Sequence, residues 1–214
     1  MPNMPNMPLD DILKRLHTLQ AELEEEIERI LVEKRKSFRY TVEKGKIRFE
    51  QSIKKLQLQH QVSLWTYLRL ASVKHLITAP LVYSLFIPMV FLDIMVTTYQ
   101  HVCFRAYGIN RVKRRDYFII DRQHLLYLNV IEKLNCVYCG YGNGLIQYVR
   151  EISALTEQYW CPIKHARRTP DPHYLVEKFS DYGDASEYKS RLIQLRKELR
   201  NSKTKTSTAT QIKM

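Results

Sequence analysis

The chain has 214 residues, 45% of them hydrophobic and 26% charged, with a formal net charge of +12. These proportions are those of a folded protein, with room for one compact domain and extensions or for two small domains. The surplus of Lys and Arg is out of the ordinary and implies an anionic partner, either phospholipid headgroups or nucleic acid. Met1 to Asp11 shows no basic stretch followed by an apolar run, so no secretory signal is expected. The cysteines then read as reduced thiols, which favours metal or catalytic use over a disulfide framework.

Met-Pro-Asn repeats in residues 1–8 predict a disordered lead. From Leu9 onward, Ile12, Leu16, Leu19, Leu23, Ile27 and Ile30 recur at steps of three and four. That spacing predicts an amphipathic helix, with Glu22, Glu24, Glu25, Glu26 and Glu28 solvated. A coiled coil is within reach of this length. Residues 9–30 therefore read as a homodimer or partner-helix surface, or as a surface helix packed on its own chain.

Over residues 38–49, Phe38, Tyr40 and Val42 alternate with polar residues, and Ile47 and Phe49 alternate again after Glu43-Lys44-Gly45-Lys46. A short hairpin or a helix tolerating Gly45 fits this stretch. Helix returns over residues 51–74, completing a helical arm at 9–75. Trp65, Tyr67, Arg69 and Lys74 stand where membrane-interface anchors stand.

Leu76 to Tyr99 contains no Lys or Arg and one acid, Asp93. As a helix it would extend about 36 Å, enough to cross a hydrocarbon core of about 30 Å. Pro80 and Pro88 each remove a backbone donor, so two shapes stay open: a kinked span or a re-entrant hairpin bending near Pro88. Asp93 should face protein, water or the interface, and we read it as structural. Arg105, Arg111, Lys113, Arg114 and Arg115 follow the segment, against Lys55, Arg69 and Lys74 before it. The positive-inside rule places the C-terminal side in the cytoplasm. Arg111, Lys113, Arg114 and Arg115 form a basic cluster that reads as a contact to an anionic phospholipid membrane. Nucleic acid is the competing partner, set aside because no recognisable binding fold surrounds the cluster. Cys103, at the membrane edge, reads as a buried apolar residue.

Residues 100–168 read as a metal-binding domain. Tyr117 to Ile120 is a brief strand, and Asp121 an N-cap for a helix carrying Leu125, Leu128, Ile131 and Leu134. Cys136, Cys139, Cys161 and His165 then fall as C-x2-C, a gap of twenty-one residues, and C-x3-H. Cys136-Val137-Tyr138-Cys139-Gly140 has the shape of a metal knuckle, two thiolates bracketing a tight turn kept open by Gly140, Gly142 and Gly144. Gly144 to Tyr159 predicts a helix, and Pro162 the first turn of another on which Cys161 and His165 share a face. Three thiolates and an imidazole suit tetrahedral zinc, with iron as the alternative. A closed four-ligand site is structural, so the expected role is a non-enzymatic interaction or scaffold module. A redox protein using iron or a dithiol couple is the alternative. Residues 169–214 read as a linker, a polar helix at 186–200 and a disordered tail. No phosphate loop, nucleophile elbow or H-E-x-x-H pattern marks a catalytic site. The expected fold is mainly α: an amphipathic helix, an apolar membrane helix or hairpin, and a small helical zinc-knuckle domain.

Two resemblances accompany this reading. Cys136-Val-Tyr-Cys139-Gly-Tyr141 resembles one knuckle of a rubredoxin, whose four cysteinyl sulfurs hold iron, although Cys161-Pro-Ile-Lys-His165 departs from the second knuckle. The run from about Trp65 to Arg168 resembles an uncharacterised group of bacterial membrane-associated proteins. The carrying stretches are Leu76-Ile77-Thr78-Ala79-Pro80, Asp121-Arg122-Gln123-His124, Cys136 to Tyr141 and Tyr159 to His165. This resemblance implies a bacterial inner-membrane location, with the metal domain on the cytoplasmic side, and no activity.

Overall fold

The structure, a computed structural model, describes residues 9–43 and 46–211. The predicted lead at 1–8, residues 44 and 45 of the hairpin and the last three residues of the tail lie outside the described residues. The chain divides into two compact units. Residues 1–63 and 124–129 form one, and residues 64–123 and 130–214 the other.

The first unit opens with helix α1 (Leu9–Ser37) and continues into an antiparallel hairpin of β1 (Tyr40–Glu43) and β2 (Lys46–Phe49). Tyr40 stands opposite Phe49 and Val42 opposite Ile47, the period-two alternation that residues 38–49 display. The hairpin reading of that stretch therefore holds over the helical one. Helix α2 (Gln51–Gln59) follows. The Gln57 side chain accepts from the Leu126 N–H at 3.1 Å, and the Gln61 amide donates to the Leu128 carbonyl at 3.2 Å, fastening residues 124–129 to this unit.

The second unit begins with α3 (Leu64–Leu70) and then the apolar segment, helices α4 (Val73–Ser84) and α5 (Phe86–Tyr99). Leu85 between them keeps right-handed helical angles, so the chain bends without reversing. Pro88 explains the bend, because it supplies no N–H to the Ser84 carbonyl one turn earlier. Of the two shapes left open, the kinked helix is the one formed. It continues through a π-turn at Gln100–Phe104 and α6 (Arg105–Tyr107), giving a helix from Val73 to Tyr107 that is long and apolar enough to cross a membrane. Gly108 stops it in the left-handed conformation at φ 75°, while the Ile109 N–H closes on the Phe104 carbonyl at 2.8 Å.

Helix α7 (Val130–Trp160) packs along α5, and α8 (Tyr188–Gln211) packs on α7. The main core joins Phe104, Ile109, Leu145, Tyr148, Ile152, Tyr159 and Leu199. A smaller one joins Ala154, Leu175, Phe179 and Leu195.

Three expectations are corrected here. The C-x2-C segment is not a turn: Cys136, Cys139 and all three glycines lie inside the unbroken α7. The segment after Pro162 is not a helix, since Ile163 pairs with Ser180 as an isolated bridge and Lys164 N–H donates to the Ser180 carbonyl at 2.9 Å. Helix α8 runs on to Gln211, where a disordered tail was expected from Asn201.

The glycines have a packing role. A Cβ at Gly144 would stand 2.8 Å from the Tyr117 carbonyl oxygen and 3.1 Å from the Phe118 Cα. At Gly140 it would stand 3.3 Å from the Ile119 carbonyl. One turn apart on α7, these two positions form a trough for the backbone of residues 117–120, which forms no strand where one was expected.

Candidate functional site

The site that the second unit builds is a polar seam within an apolar helix. Asp93, Thr97 and Gln100 are spaced by four and three residues, which puts them on one face of α5 and the π-turn that continues it. That face turns toward α7 and the segment after Gly108. Asp93 is 8% exposed and Gln100 2%. The opposite side carries Leu81, Ile87, Phe91, Ile94 and Met95, with Ile87 74% exposed. The usual order of a water-soluble helix, apolar inward and polar outward, is inverted.

Each buried polar group of this seam is partnered. The Asp93 carboxylate accepts from the Arg114 guanidinium at 2.5 Å, from the Tyr141 hydroxyl at 2.9 Å and from the Thr97 hydroxyl at 3.3 Å. Arg114 also lies over the Phe118 ring, 4.0 Å from its centroid. The Gln100 amide holds the backbone of Val112, its oxygen accepting the N–H at 3.0 Å and its nitrogen donating to the carbonyl at 3.4 Å. The same nitrogen donates to the Tyr148 hydroxyl. Burial, followed by the hydrogen bond to Asp93, pushes the Tyr141 phenol up to about 12. It therefore stays a protonated donor across the physiological range. The Asp93 carboxylate is the buried member of the pair, while Arg114 stays half exposed, and Tyr141 and Thr97 meet the carboxylate's remaining valences.

These bonds fix where the basic segment lies. Residues 110–114 and 116 run back along the helix at the level of Asp93 to His101 and line a cleft of about 700 Å³ with Thr97, Gln100, His101 and Tyr148. The four cations singled out in the sequence, Arg111, Lys113, Arg114 and Arg115, are all exposed. Arg114 turns to Asp93, so its charge is neutralised by the protein itself. The arrangement offers an anion the side chains of Arg111 and Lys113, with Arg115 paired to Asp116 at 3.6 Å beside them, on a backbone that Gln100 and Arg114 hold in place.

The proposed ligand set is not assembled. Cys136 and Cys139 lie in α7 and Cys161 directly after its last residue, so the helix between Cys139 and Cys161 separates them by about 33 Å. His165 follows Cys161, far from the other pair. Among the described residues no group of three or more His, Cys, Asp or Glu side chains could hold a metal ion. All four cysteines are free, Cys139 and Cys161 exposed and Cys103 and Cys136 half-buried. A C-x2-C pair and three glycines read as a knuckle only if a turn lies there. The continuous helix removes the turn, and with it the geometry for zinc or iron.

Gln100, Tyr141 and Tyr148 are the site residues that sequence reasoning missed. Their signal was present in the polar spacing Asp93, Thr97, Gln100 within an otherwise apolar run. Nothing in the sequence named their partners.

A smaller polar cluster joins α7 to the loop before α8. His173 bonds Glu157 at 2.8 Å, the Tyr174 hydroxyl donates to Glu151 at 2.9 Å, and Arg150 pairs with Asp171 at 2.9 Å. Burial, then the bond to Glu151, raises the Tyr174 phenol above the usual tyrosine range. This cluster pins the loop. Comparison with known proteins leaves the reading to the geometry: the chain matches no family model, no curated protein and no solved structure.

Proposed function

We propose that this chain is a non-catalytic membrane-anchored protein, with the helix from Val73 to Tyr107 as its anchor and the Arg111–Arg115 segment as its contact to anionic headgroups. The inversion of α5 carries this reading. A helix that buries Asp93 and Gln100 while exposing Ile87, Phe91 and Ile94 is stable where its surroundings are less polar than its own packed face. The level of the basic segment adds to this support. Arg111 and Lys113 stand beside residues 97–101 and Arg114 pairs with Asp93, so the headgroup layer would lie there and Leu76 to Leu92 would enter the hydrocarbon. Those seventeen residues extend about 26 Å, close to the core of a bilayer. The excess of cations on this side of the anchor favours a cytoplasmic location for it.

The test is flotation of the full chain with phosphatidylcholine vesicles, with and without phosphatidylglycerol. The chain should float with neutral vesicles and stay with them through high salt and alkaline carbonate. Phosphatidylglycerol should strengthen binding by about 1 kcal/mol for each of Arg111, Lys113 and Arg115 at low salt, and replacing all three by Gln should remove that increment. Release by carbonate, or a monodisperse chain without detergent, would overturn the reading.

A further inference from the structure

Helix α1 presents an apolar stripe that the described chain leaves open. Ile12, Leu16, Leu19, Leu23, Ile27 and Ile30 lie along one side of it, each between 44% and 61% exposed. Two features of that stripe specify what would cover it. The first is symmetry: Ile12 and Ile27, and likewise Leu16 and Leu23, stand at equal distances on either side of a point beside Gln20. The second is charge. Residues 12–18 contain Lys14, Arg15 and His17 and no acid, whereas residues 22–28 contain five Glu and no base.

We propose that α1 pairs antiparallel with α1 of a second copy of this chain, about a two-fold axis crossing near Gln20. In that arrangement Ile12 lies against Ile27 of the second copy and Leu16 against Leu23. On one flank of the stripe, Arg15 comes within a turn of Glu26 of the second copy. Glu26 already accepts from Arg29 of its own chain at 2.6 Å, so Arg15 of the second copy joins an existing pair. Parallel pairing in register would instead lay five Glu beside five Glu, which like-charge repulsion disfavours. Ile12 and Leu23, Leu16 and Ile27, and Leu19 and Ile30 are each eleven residues apart. That period favours nearly straight or slightly right-handed packing over a left-handed supercoil. The contact is the same patch on both chains, so it closes at two copies. It is independent of the membrane reading, because α1 belongs to the other compact unit.

The experiment uses the full chain in detergent micelles, with protein mass from light scattering corrected for bound detergent. The expected mass is twice that of the 25.5 kDa chain. Arg15→Glu should weaken the dimer about tenfold, since each substitution breaks two symmetric pairs. Glu26→Arg alone should weaken it similarly, and the two together should restore it. Circular dichroism should show unchanged helix, all of these being good helix formers. On oxidation, Gln20→Cys should form a disulfide to itself, identified by peptide mapping against the native cysteines, and Ile30→Cys should not. A monomer at every concentration overturns the proposal. So does a stronger dimer with Glu26→Arg or a self-linked Ile30→Cys, either of which indicates parallel pairing. Arg15→Glu should float with vesicles as the parent chain does, which separates failure of the pairing from failure of the anchor.

Discussion

Helices α1 and α5 both expose large apolar side chains, and they do so in opposite ways. On α1 the apolar side chains form a stripe, flanked by Arg15, Glu22, Glu24 and Glu26. Water reaches both flanks, and only the stripe needs covering. On α5 the apolar surface wraps the whole outward side, and the polar residues Asp93, Thr97 and Gln100 are turned inward. A narrow stripe with charged borders matches another helix, whereas a broad surface without charge matches hydrocarbon. Counting exposed hydrophobic residues would treat the two helices alike. Their difference lies in where the polar groups stand.

The sharpest way to break this comparison is to place charge on the outward side of the anchor. Leu81→Lys with Ile87→Lys, both sites more than 70% exposed, should abolish carbonate-resistant flotation. Each Lys at depth costs about 2.5–3.5 kcal/mol. If the face met water instead, surface changes of this kind would shift stability by only about 0.5 kcal/mol. Leu19→Lys on α1 should leave flotation unchanged.

The inward side of the anchor is probed through α7. Gly144→Ala should lower stability by about 1–3 kcal/mol, read as a fall in thermal midpoint in detergent, because its Cβ would meet the Tyr117 backbone at 2.8 Å. Gly142→Ala meets only the end of the flexible Met89 side chain at 3.4 Å and should be neutral or slightly stabilising. Equal effects at the two positions would mean that the trough for residues 117–120 does not form.

The smallest effect concerns Tyr141. Its phenol is raised in the folded chain to about 12, above its ordinary 10, so the fold favours the protonated form. That contribution is fully present below pH 10 and is lost as pH rises through about 12. Stability measured across this window should fall, and Tyr141→Phe should remove part of the slope. An unchanged slope would detach Tyr141 from Asp93.

Much of the fold was legible in order of element. The steps of three and four in residues 9–30 gave α1, alternation around Tyr40 and Phe49 offered the hairpin beside a helix, and the apolar run from Leu76 gave the long helix. Each is a local pattern with its own period. The region around Cys136 was misread because its local signals conflict with its packing. Gly140, Gly142 and Gly144 suggest a turn when only their propensity is weighed. Inside α7 their missing side chains admit the backbone of residues 117–120, a contact between segments about twenty residues apart. Once the helix is continuous, Cys139 and Cys161 stand at opposite stretches of a rod, and ligand spacing loses its meaning.

The candidate site divides in the same way. A basic segment after an apolar run is a statement about composition, and the sequence alone was enough to make it. That Arg114 leaves the segment to neutralise Asp93, while Gln100 grips Val112, depends on chain reversal at Gly108.

By itself, then, the sequence determined the character of each segment: charged and striped at α1, apolar from Leu76 to Tyr99, basic from Arg111 to Arg115. Only the tertiary structure decided which polar groups turn inward and whether the cysteines meet. Segment character follows from short-range periodicity and composition. Partnership is set by which distant backbones pack together, and no local pattern records that.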